Sequence, residues 1–263
     1  MRVRLPPPAQ MSTNKLSLSK RVNQDFFKFW TAEMSYVLGY ITADGCVIKR
    51  KNRRNSYVLN ITSKDKKHLL KIRKILNSNY SLSIKYNSQG MPYSQIQICN
   101  REICKDLIGL GILPRKTSHL NPIKVPQKYF NSFVRGFFDG DGSVYVYKVN
   151  NTPQIKVDFI STSYPFLNDL NSRICDNLGI PLKNIHKQIP KNGKKLLKYS
   201  ICFYIDDCER LYKFMYKGVP LFLDRKHRIF KKWENVKFEN RRNYIKQNYP
   251  SKIGWHLSQE VFI

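Results

Sequence analysis

The chain has 263 residues and carries 47 lysines and arginines against 18 aspartates and glutamates, a formal net charge of +29. A field of that sign attracts a polyanion, and nucleic acid is the usual one. No run of 18 apolar residues occurs, and the basic residues are scattered rather than gathered on one amphipathic helix, which argues against a membrane partner. We therefore expect a globular protein that binds nucleic acid.

The cysteines and histidines predict neither disulfides nor zinc. The six cysteines form no CxxC pair, and the five histidines are dispersed, so we expect reduced thiols in an intracellular protein. Residues 1–25 are basic, contain several prolines and lack an apolar signal core, which predicts a flexible leader. The richness in lysine, asparagine and isoleucine suggests an A/T-rich genome. That does not distinguish an organelle (mitochondrion or chloroplast), a bacterium or a phage-infected cytoplasm.

The first half of the chain predicts a helix followed by strand pairs and further helices. An apolar segment at helical spacing ends in Asp44-Gly45, and strands at 46–51 and 56–62 flank a basic turn. A helix with Ser63 as its N-cap is expected next. Strands at 80–87 and 93–99 and a helix over 102–110 complete this unit, which we place at residues 26–121.

The second half predicts the same order of elements. Residues 122–129 contain Pro122 and Pro126 and form a linker, and the second unit spans 130–236. Strands are expected at 143–147 and 154–161, then a helix that Pro165 opens and Gly179 ends. Strands at 183–189 and 198–204 precede a helix over 207–216, and residues 237–263 form a basic C-terminal extension. The sequence thus predicts an α+β fold with a pseudo-twofold duplicated αββαββα order.

Two nine-residue segments carry the repeat, VLGYITADG at 37–45 and VRGFFDGDG at 134–142. Each has small residues four apart, Gly39 with Ala43 and Gly136 with Gly140, which lets two helices approach closely. Their C-terminal acids would then lie side by side, an unfavourable arrangement for two carboxylates at helix C-termini. A divalent cation such as Mg²⁺ would remove that cost. An EF-hand is excluded, because the later ligand positions after Asp139 do not fit.

These two segments resemble the paired motifs of LAGLIDADG homing endonucleases, in the single-chain form that carries both motifs. The resemblance covers about residues 33–235, including the order of elements after each motif. It implies a central two-helix interface and two antiparallel sheets that form a DNA-binding saddle. It also implies that the last acid of each motif binds divalent metal and directs hydrolysis of one DNA strand.

Carried over residue by residue, the metal-binding and catalytic acids are Asp44 and Asp141. The earlier acidic position of the motif is Asp139 in the second copy but Thr42 in the first, and it is not the usual metal ligand. Arg135 stands where a small residue is common, so either the packing there is looser or the side chain extends outward.

Basic and hydroxyl residues complete the predicted site. Family members place a basic residue after the last helix of each half, and we assign Lys116 and Lys226 as catalytic, with Arg115 or Arg225 as alternatives. An ordinary surface lysine is the competing interpretation. Ser63 and Thr162 end the second strand of each half and are candidates to order water near the metal.

Sequence recognition needs polar side chains on the sheet face opposite the core. The alternation nominates, for contacts with bases, Asn60, Ser83, Lys85, Gln95 and Gln97 in the first half and Tyr145, Tyr147, Gln154, Lys156, Asp158, His186 and Gln188 in the second. Three arginines at a strand end and turn are better placed for phosphates, namely Arg50, Arg53 and Arg54. A solvated strand face remains the alternative for each one.

The sequence therefore predicts a monomeric, metal-dependent, site-specific endonuclease that cuts a double-stranded DNA target in intron homing. Two or more Mg²⁺ ions are expected, with Mn²⁺ or Ca²⁺ as substitutes in binding. Two alternatives stay open: an RNA maturase that binds its host intron RNA, and a catalytically inactive DNA-binding regulator. Because the two halves differ along their strands, the target should be only roughly palindromic.

Overall fold

The computed structural model describes residues 19–50, 56–114, 119–150, 152–188 and 197–248, with residues 237–248 described by their backbone alone. Among the predicted site residues, Arg53, Arg54 and Lys116 lie outside the described residues. So do Arg115 and most of the predicted leader.

In the described residues of the first half, three α-helices and four strands follow one another in the predicted order. They are α1 (Ala32–Asp44), β1 (Gly45–Lys49), β2 (Tyr57–Ser63), α2 (Lys66–Ile75), β3 (Leu82–Tyr86), β4 (Pro92–Ile98) and α3 (Arg101–Gly109). Thr31 begins α1 because its hydroxyl accepts a hydrogen bond from the Met34 amide. The N-cap of α2 is Asp65 and not the predicted Ser63.

The second half repeats that order and adds one helix. It consists of α4 (Phe130–Asp141), β5 (Ser143–Val149), β6 (Thr152–Ser161), α5 (Tyr164–Leu178), β7 (His186–Gln188), β8 (Lys198–Tyr204), α6 (Ile205–Tyr216) and α7 (Asp224–Asn248). Pro165 lies in the first turn of α5, and Gly179 ends that helix in the left-handed conformation, as predicted.

The two sheets have the same topology. The strand orders are β1-β2-β4-β3 and β5-β6-β8-β7, and every pairing is antiparallel. One face of each sheet packs on the core, since alternate residues such as Ile61, Ile96 and Phe159 are fully buried. The predicted α+β duplicated fold is therefore confirmed.

The helices α1 and α4 pack against each other at the centre of the molecule, through their small residues. A Cβ atom added at Gly39 would overlap the carbonyl oxygen of Phe133, and one added at Gly136 would overlap the carbonyl oxygen of Tyr36. Further along the crossing, a Cβ atom at Gly140 would collide with the Ala43 side chain. The predicted central two-helix interface therefore depends on glycine where each backbone meets the other.

The helix α7 was not predicted from the sequence. This helix passes through residue 236, where the second unit was expected to end. Although it belongs to the second half, it begins against the first, because Asp224 forms an ion pair with Lys71 at 3.0 Å and Arg225 pairs with Asp65 at 2.8 Å. None of the helices in the described part of the chain is long and apolar enough to cross a membrane.

Candidate active site

Asp44 and Asp141 are the last residues of α1 and α4. Each is followed by a glycine whose amide donates back into the helix, Gly45 to Ile41 and Gly142 to Phe138. Each chain then continues directly into the first strand of a sheet. The helix crossing therefore delivers both acids to the place where the two sheets begin.

Asp44 lines a cavity of about 450 Å³. Its walls comprise Tyr40, Asp44, Thr62, Ser63, Lys64, Asp65, Asn87, Tyr93, Gly140 and Arg225. Burial raises the pKa of Tyr40, and the neighbouring Asp44 carboxylate raises it further, so the phenol stays protonated. The Tyr40 hydroxyl donates to Ser63 Oγ at 3.0 Å. This cavity is therefore polar, with one carboxylate from the first motif and a backbone wall from the second.

Asp141 lines a second cavity of about 290 Å³. Its walls comprise Thr42, Ala43, Leu120, Phe137, Asp141, Ile160, Ser161, Thr162 and Lys198. Each cavity thus contains the acid of one motif and part of the other motif helix, Gly140 in the first and Thr42 with Ala43 in the second. The acids consequently lie on opposite sides of one helix crossing.

The predicted hydroxyl residues lie at these cavities. Ser63 is 7% exposed, and its Oγ accepts hydrogen bonds from Tyr40 and from the Asp65 amide, the latter at 3.0 Å. Those contacts fix the hydroxyl beside Asp44. β6 ends at Ser161, which the register makes the counterpart of Ser63, and the predicted Thr162 follows it. Both Ser161 and Thr162 line the Asp141 cavity.

Lys226, predicted as catalytic, is buried at the end of α4 and is not among the residues that line either cavity. Its catalytic role stays a prediction. Its side chain is 3% exposed, and its Nζ donates to the carbonyl oxygens of Phe138, Asp139, Gly140 and Gly142, at 2.5, 2.9, 3.3 and 2.6 Å. Burial lowers the pKa of Lys226 to about 8, although nearby carboxylates including Asp44 and Asp141 raise it. The ammonium group therefore caps the C-terminus of α4, where its positive charge balances the negative end of the helix dipole.

Replacing Lys226 by methionine should lower the free energy of unfolding by about 2–3 kcal/mol, because buried carbonyl groups at the end of α4 lose their donor. Chemical denaturation followed by circular dichroism would measure the change. The control is Lys231→Met on the same helix, where the side chain is 56% exposed and a change within about 0.5 kcal/mol is expected. Equal effects of the two substitutions would contradict the capping role.

The basic groups that do line the cavities are others. Arg225, the alternative to Lys226, lines the Asp44 cavity together with Lys64. Lys198 lines the Asp141 cavity and was not predicted as a site residue. Its position could have indicated this, because Lys198 begins the strand that pairs with the end of β6. It was missed because one lysine in a lysine-rich chain is not distinctive in sequence.

The remaining charged residues of the second motif are buried and structural. Asp139 is 1% exposed and accepts hydrogen bonds from Tyr36, Tyr216 and the Leu223 amide, at 2.6, 3.0 and 2.8 Å. Burial raises the pKa of Asp139, and these donors oppose that shift. The first-copy equivalent, Thr42, donates to the Leu38 carbonyl within its own helix.

Arg135 does not extend outward, which excludes that predicted alternative. It is 2% exposed, and its guanidinium donates to the carbonyls of Leu221 and Met215, at 2.9 and 2.6 Å. Its charge lies 5.2 Å from the centre of the Tyr36 ring. Arg135 and Asp139 therefore anchor α4 to the segment that precedes α7.

The strand register places the predicted base-contacting residues on one face of each sheet, because paired residues of antiparallel strands point to the same side. In the first sheet Asn60 pairs with Gln97, Ser83 with Gln95, and Lys85 with Tyr93. In the second sheet the corresponding pairs are Tyr145 with Lys156, Tyr147 with Gln154, Ser143 with Asp158, His186 with Ser200, and Gln188 with Lys198. Arg50 follows β1, and its guanidinium lies 3.0 Å from the Cys99 sulfur.

The donor chemistry at the acids fits a hard divalent cation. Within the described ranges no group of three or more His, Cys, Asp or Glu residues could hold a metal by itself. Each cavity instead presents a motif carboxylate and hydroxyl groups. Mg²⁺ is commonly held by one or two carboxylates, with phosphate oxygens and water supplying the remaining ligands. The residues present therefore suit a hard divalent cation such as Mg²⁺ that takes its remaining ligands from outside the protein.

Comparison with known proteins finds one matching family model and several similar folds. A family model described as the LAGLIDADG-like domain matches residues 31–108 and 129–214. The fold is similar to the LAGLIDADG homing endonuclease I-GzeII in complex with its DNA target (14% identity, 83% of this chain and 94% of that chain, TM-score 0.53). It is also similar to the LAGLIDADG meganuclease I-AabMI bound to uncleaved DNA (13% identity, 83% and 95%, TM-score 0.51). A sequence search of curated proteins gave no match.

Proposed function

Because the chain belongs to the LAGLIDADG-like domain family, we propose that it is a site-specific DNA endonuclease. It makes a staggered double-strand break in a long, roughly pseudo-palindromic target, and the break serves intron homing. The observation that carries this proposal is the placement of Asp44 and Asp141 in two separate cavities on either side of one helix crossing. Two equivalent acids at a pseudo-twofold centre suit two antiparallel DNA strands.

In this proposal Asp44 and Asp141 hold the divalent ions, one acid for each scissile phosphate. When bound, such ions would supply activation of the attacking water and charge stabilisation at the leaving oxygen of a phosphodiester. Ser63 and Thr162 orient water beside the carboxylates. Arg225 and Lys198 place positive charge at the phosphate in the first and second cavity.

The partner is double-stranded DNA, bound along the polar faces of the two sheets. The net charge of +29 supplies the attraction, and the strand residues provide hydrogen-bonding groups for base edges in the major groove. The two similar structures named above contain DNA, which supports the same partner here. One chain supplies both sheets and both acids, so a monomer is sufficient.

The test is cleavage of the DNA junction that remains when an intron carrying this gene is removed. A plasmid with that junction should become linear with Mg²⁺ and stay intact with EDTA, and ends mapped on the two strands should be staggered. A maturase would instead raise the splicing rate of the intron RNA and leave the plasmid intact. An inactive regulator would bind the junction and cut neither strand, an outcome that both retained acids argue against.

Affinity for that junction should fall steeply with salt. Each phosphate neutralised by lysine or arginine releases counterions, so the logarithm of the association constant should fall linearly with the logarithm of the salt concentration, with a slope of about −0.9 per phosphate contact. Filter binding or anisotropy between low and moderate salt would measure the slope. A flat dependence would contradict the phosphate contacts proposed for Arg50 and its neighbours.

A further inference from the structure

One cluster on the polar face of the second sheet is already fixed in position. Lys156 Nζ lies 3.1 Å from Asp158 Oδ1, and it lies 5.7 and 5.6 Å from the ring centres of Tyr145 and Tyr204. The Tyr145 hydroxyl donates to the other Asp158 oxygen at 3.3 Å. The Asp158 carboxylate and the two tyrosine rings therefore hold the lysine side chain in one conformation. An unconstrained surface lysine would sample many rotamers.

This held ammonium group remains available to a ligand. The Lys156 side chain is 21% exposed, and the flanking Tyr145 and Tyr204 are 41% and 47% exposed. Burial lowers the pKa of Lys156, but hydrogen bonds from its ammonium group to Tyr145 and Asp158 raise it more, so the group stays charged. An ammonium has three donor hydrogens. The contacts with Asp158 and Tyr145 use two of them, which leaves one donor for a base edge in the DNA groove.

The first sheet carries a different cluster at the equivalent place, as the register shows. Ser143 pairs with Asp158 and Tyr145 with Lys156, whereas Cys46 pairs with Asn60 and Ile48 with Val58. Cys46 and Ser143 are each the second residue after the motif acid, and Ile48 and Tyr145 are each the fourth. Ile48 and Val58 are therefore the counterparts of Tyr145 and Lys156, and Ile48 is 41% exposed.

The two clusters differ in the base edge that they suit. An ammonium group only donates, and guanine presents two acceptors, N7 and O6, in the major groove. An exposed aliphatic side chain instead suits the thymine methyl group. Four strand residues from the motif acid span ~13 Å, which corresponds to roughly four base pairs of DNA.

We propose that Lys156, of the cross-strand pair Tyr145–Lys156, recognises guanine in one half-site. Ile48, of the corresponding pair Ile48–Val58, contacts a thymine methyl group at the symmetric place in the other half-site. Asp158 is the positioning residue that aims Lys156, with the tyrosines on either side. The target then departs from a palindrome at this pair of positions, because the two sheets carry different side chains there. The inference rests on the proposed function, since it assumes a DNA target that the two sheets share.

The experiment selects bound sites from a randomised double-stranded DNA library with the full chain in Ca²⁺. The wild-type consensus should have G·C in one half-site and A·T at the symmetric position, each preferred by about ten- to a hundredfold. The variant K156V/D158N gives the second sheet the residues that the first sheet carries at those places. It removes both charges together, so no buried carboxylate is left unpaired, and it should abolish the guanine preference at that position alone.

Two further variants sharpen the test. Ile48→Ser should remove the thymine preference in the opposite half-site and leave the guanine preference intact. Lys148→Val, on the opposite face of β5, should leave the consensus unchanged. Circular dichroism of each variant would confirm that it is folded.

The outcomes separate this inference from the proposed function. A wild-type consensus that K156V/D158N leaves unchanged overturns the guanine contact while site-specific binding stands. A uniform loss of affinity with the same base preferences also overturns it, because that is the signature of a phosphate contact. Absence of any consensus with wild-type protein overturns the proposed function itself.

Discussion

The single substitutions Asp44→Asn and Asp141→Asn should each abolish double-strand cleavage, lowering the rate of linear product by about 10³-fold or more. Asparagine keeps the size of the side chain but removes the negative charge that we propose holds a divalent cation at the end of α1 or α4. Because the acids lie in separate cavities, each variant should retain nicking of the strand served by the other. Agarose gels of supercoiled junction plasmid distinguish nicked from linear DNA, and primer extension maps the nick.

The matched control is Asp65→Asn, which alters another carboxylate in the Asp44 cavity. Asp65 pairs with Arg225 at 2.8 Å and lies outside the motif. This variant should still cut both strands. Any change in its cleavage rate would come from Arg225, which loses its ion pair with Asp65. Linear product from Asp44→Asn at the wild-type rate, or loss of linear product only in Asp65→Asn, would contradict the assignment of Asp44 as metal ligand.

The fold was predictable because its determinants are local and duplicated. Small residues four apart, an Asp-Gly helix end and alternating strands each have a signature within about ten residues, and every one of them occurs twice. The same periodicity gave the polar face of each sheet, since strand alternation and the observed register agree for pairs such as Asn60 with Gln97. The structural features that occur twice in the sequence were therefore the ones that could be predicted.

The buried charges were not predictable, because they depend on contacts between distant residues. Lys226 and Arg135 look like surface residues in a basic chain, yet the side chain of each donates to backbone carbonyls at least 80 residues away in sequence. Asp139 likewise joins Tyr36 across the two halves. A helix such as α7 also escapes prediction, since its apolar residues are few and it lacks a repeat partner. Periodicity cannot reveal which lysine a distant helix end will require.

Gly136→Ala should lower the free energy of unfolding by about 3 kcal/mol, although alanine is otherwise the better helix former. The added Cβ would overlap the Tyr36 carbonyl oxygen and lie 3.0 Å from the Tyr40 amide nitrogen, so backbone of α1 must move. Urea denaturation measures the loss. The control Gly109→Ala adds the same methyl group in α3, where nothing lies within 4 Å of it, and should raise stability by up to about 1 kcal/mol.

A double-mutant cycle at the acid end of the crossing tests whether close approach is the cause. Gly140→Ala should cost about 2 kcal/mol, because its new Cβ meets the Ala43 Cβ, a side chain rather than backbone. Ala43→Gly removes that atom from the other helix, so the double variant A43G/G140A should recover to within about 1 kcal/mol of the wild type. Cleavage should recover with stability, since Asp44 and Asp141 follow these positions directly. Additive losses in the double variant would show that the two helices do not meet there.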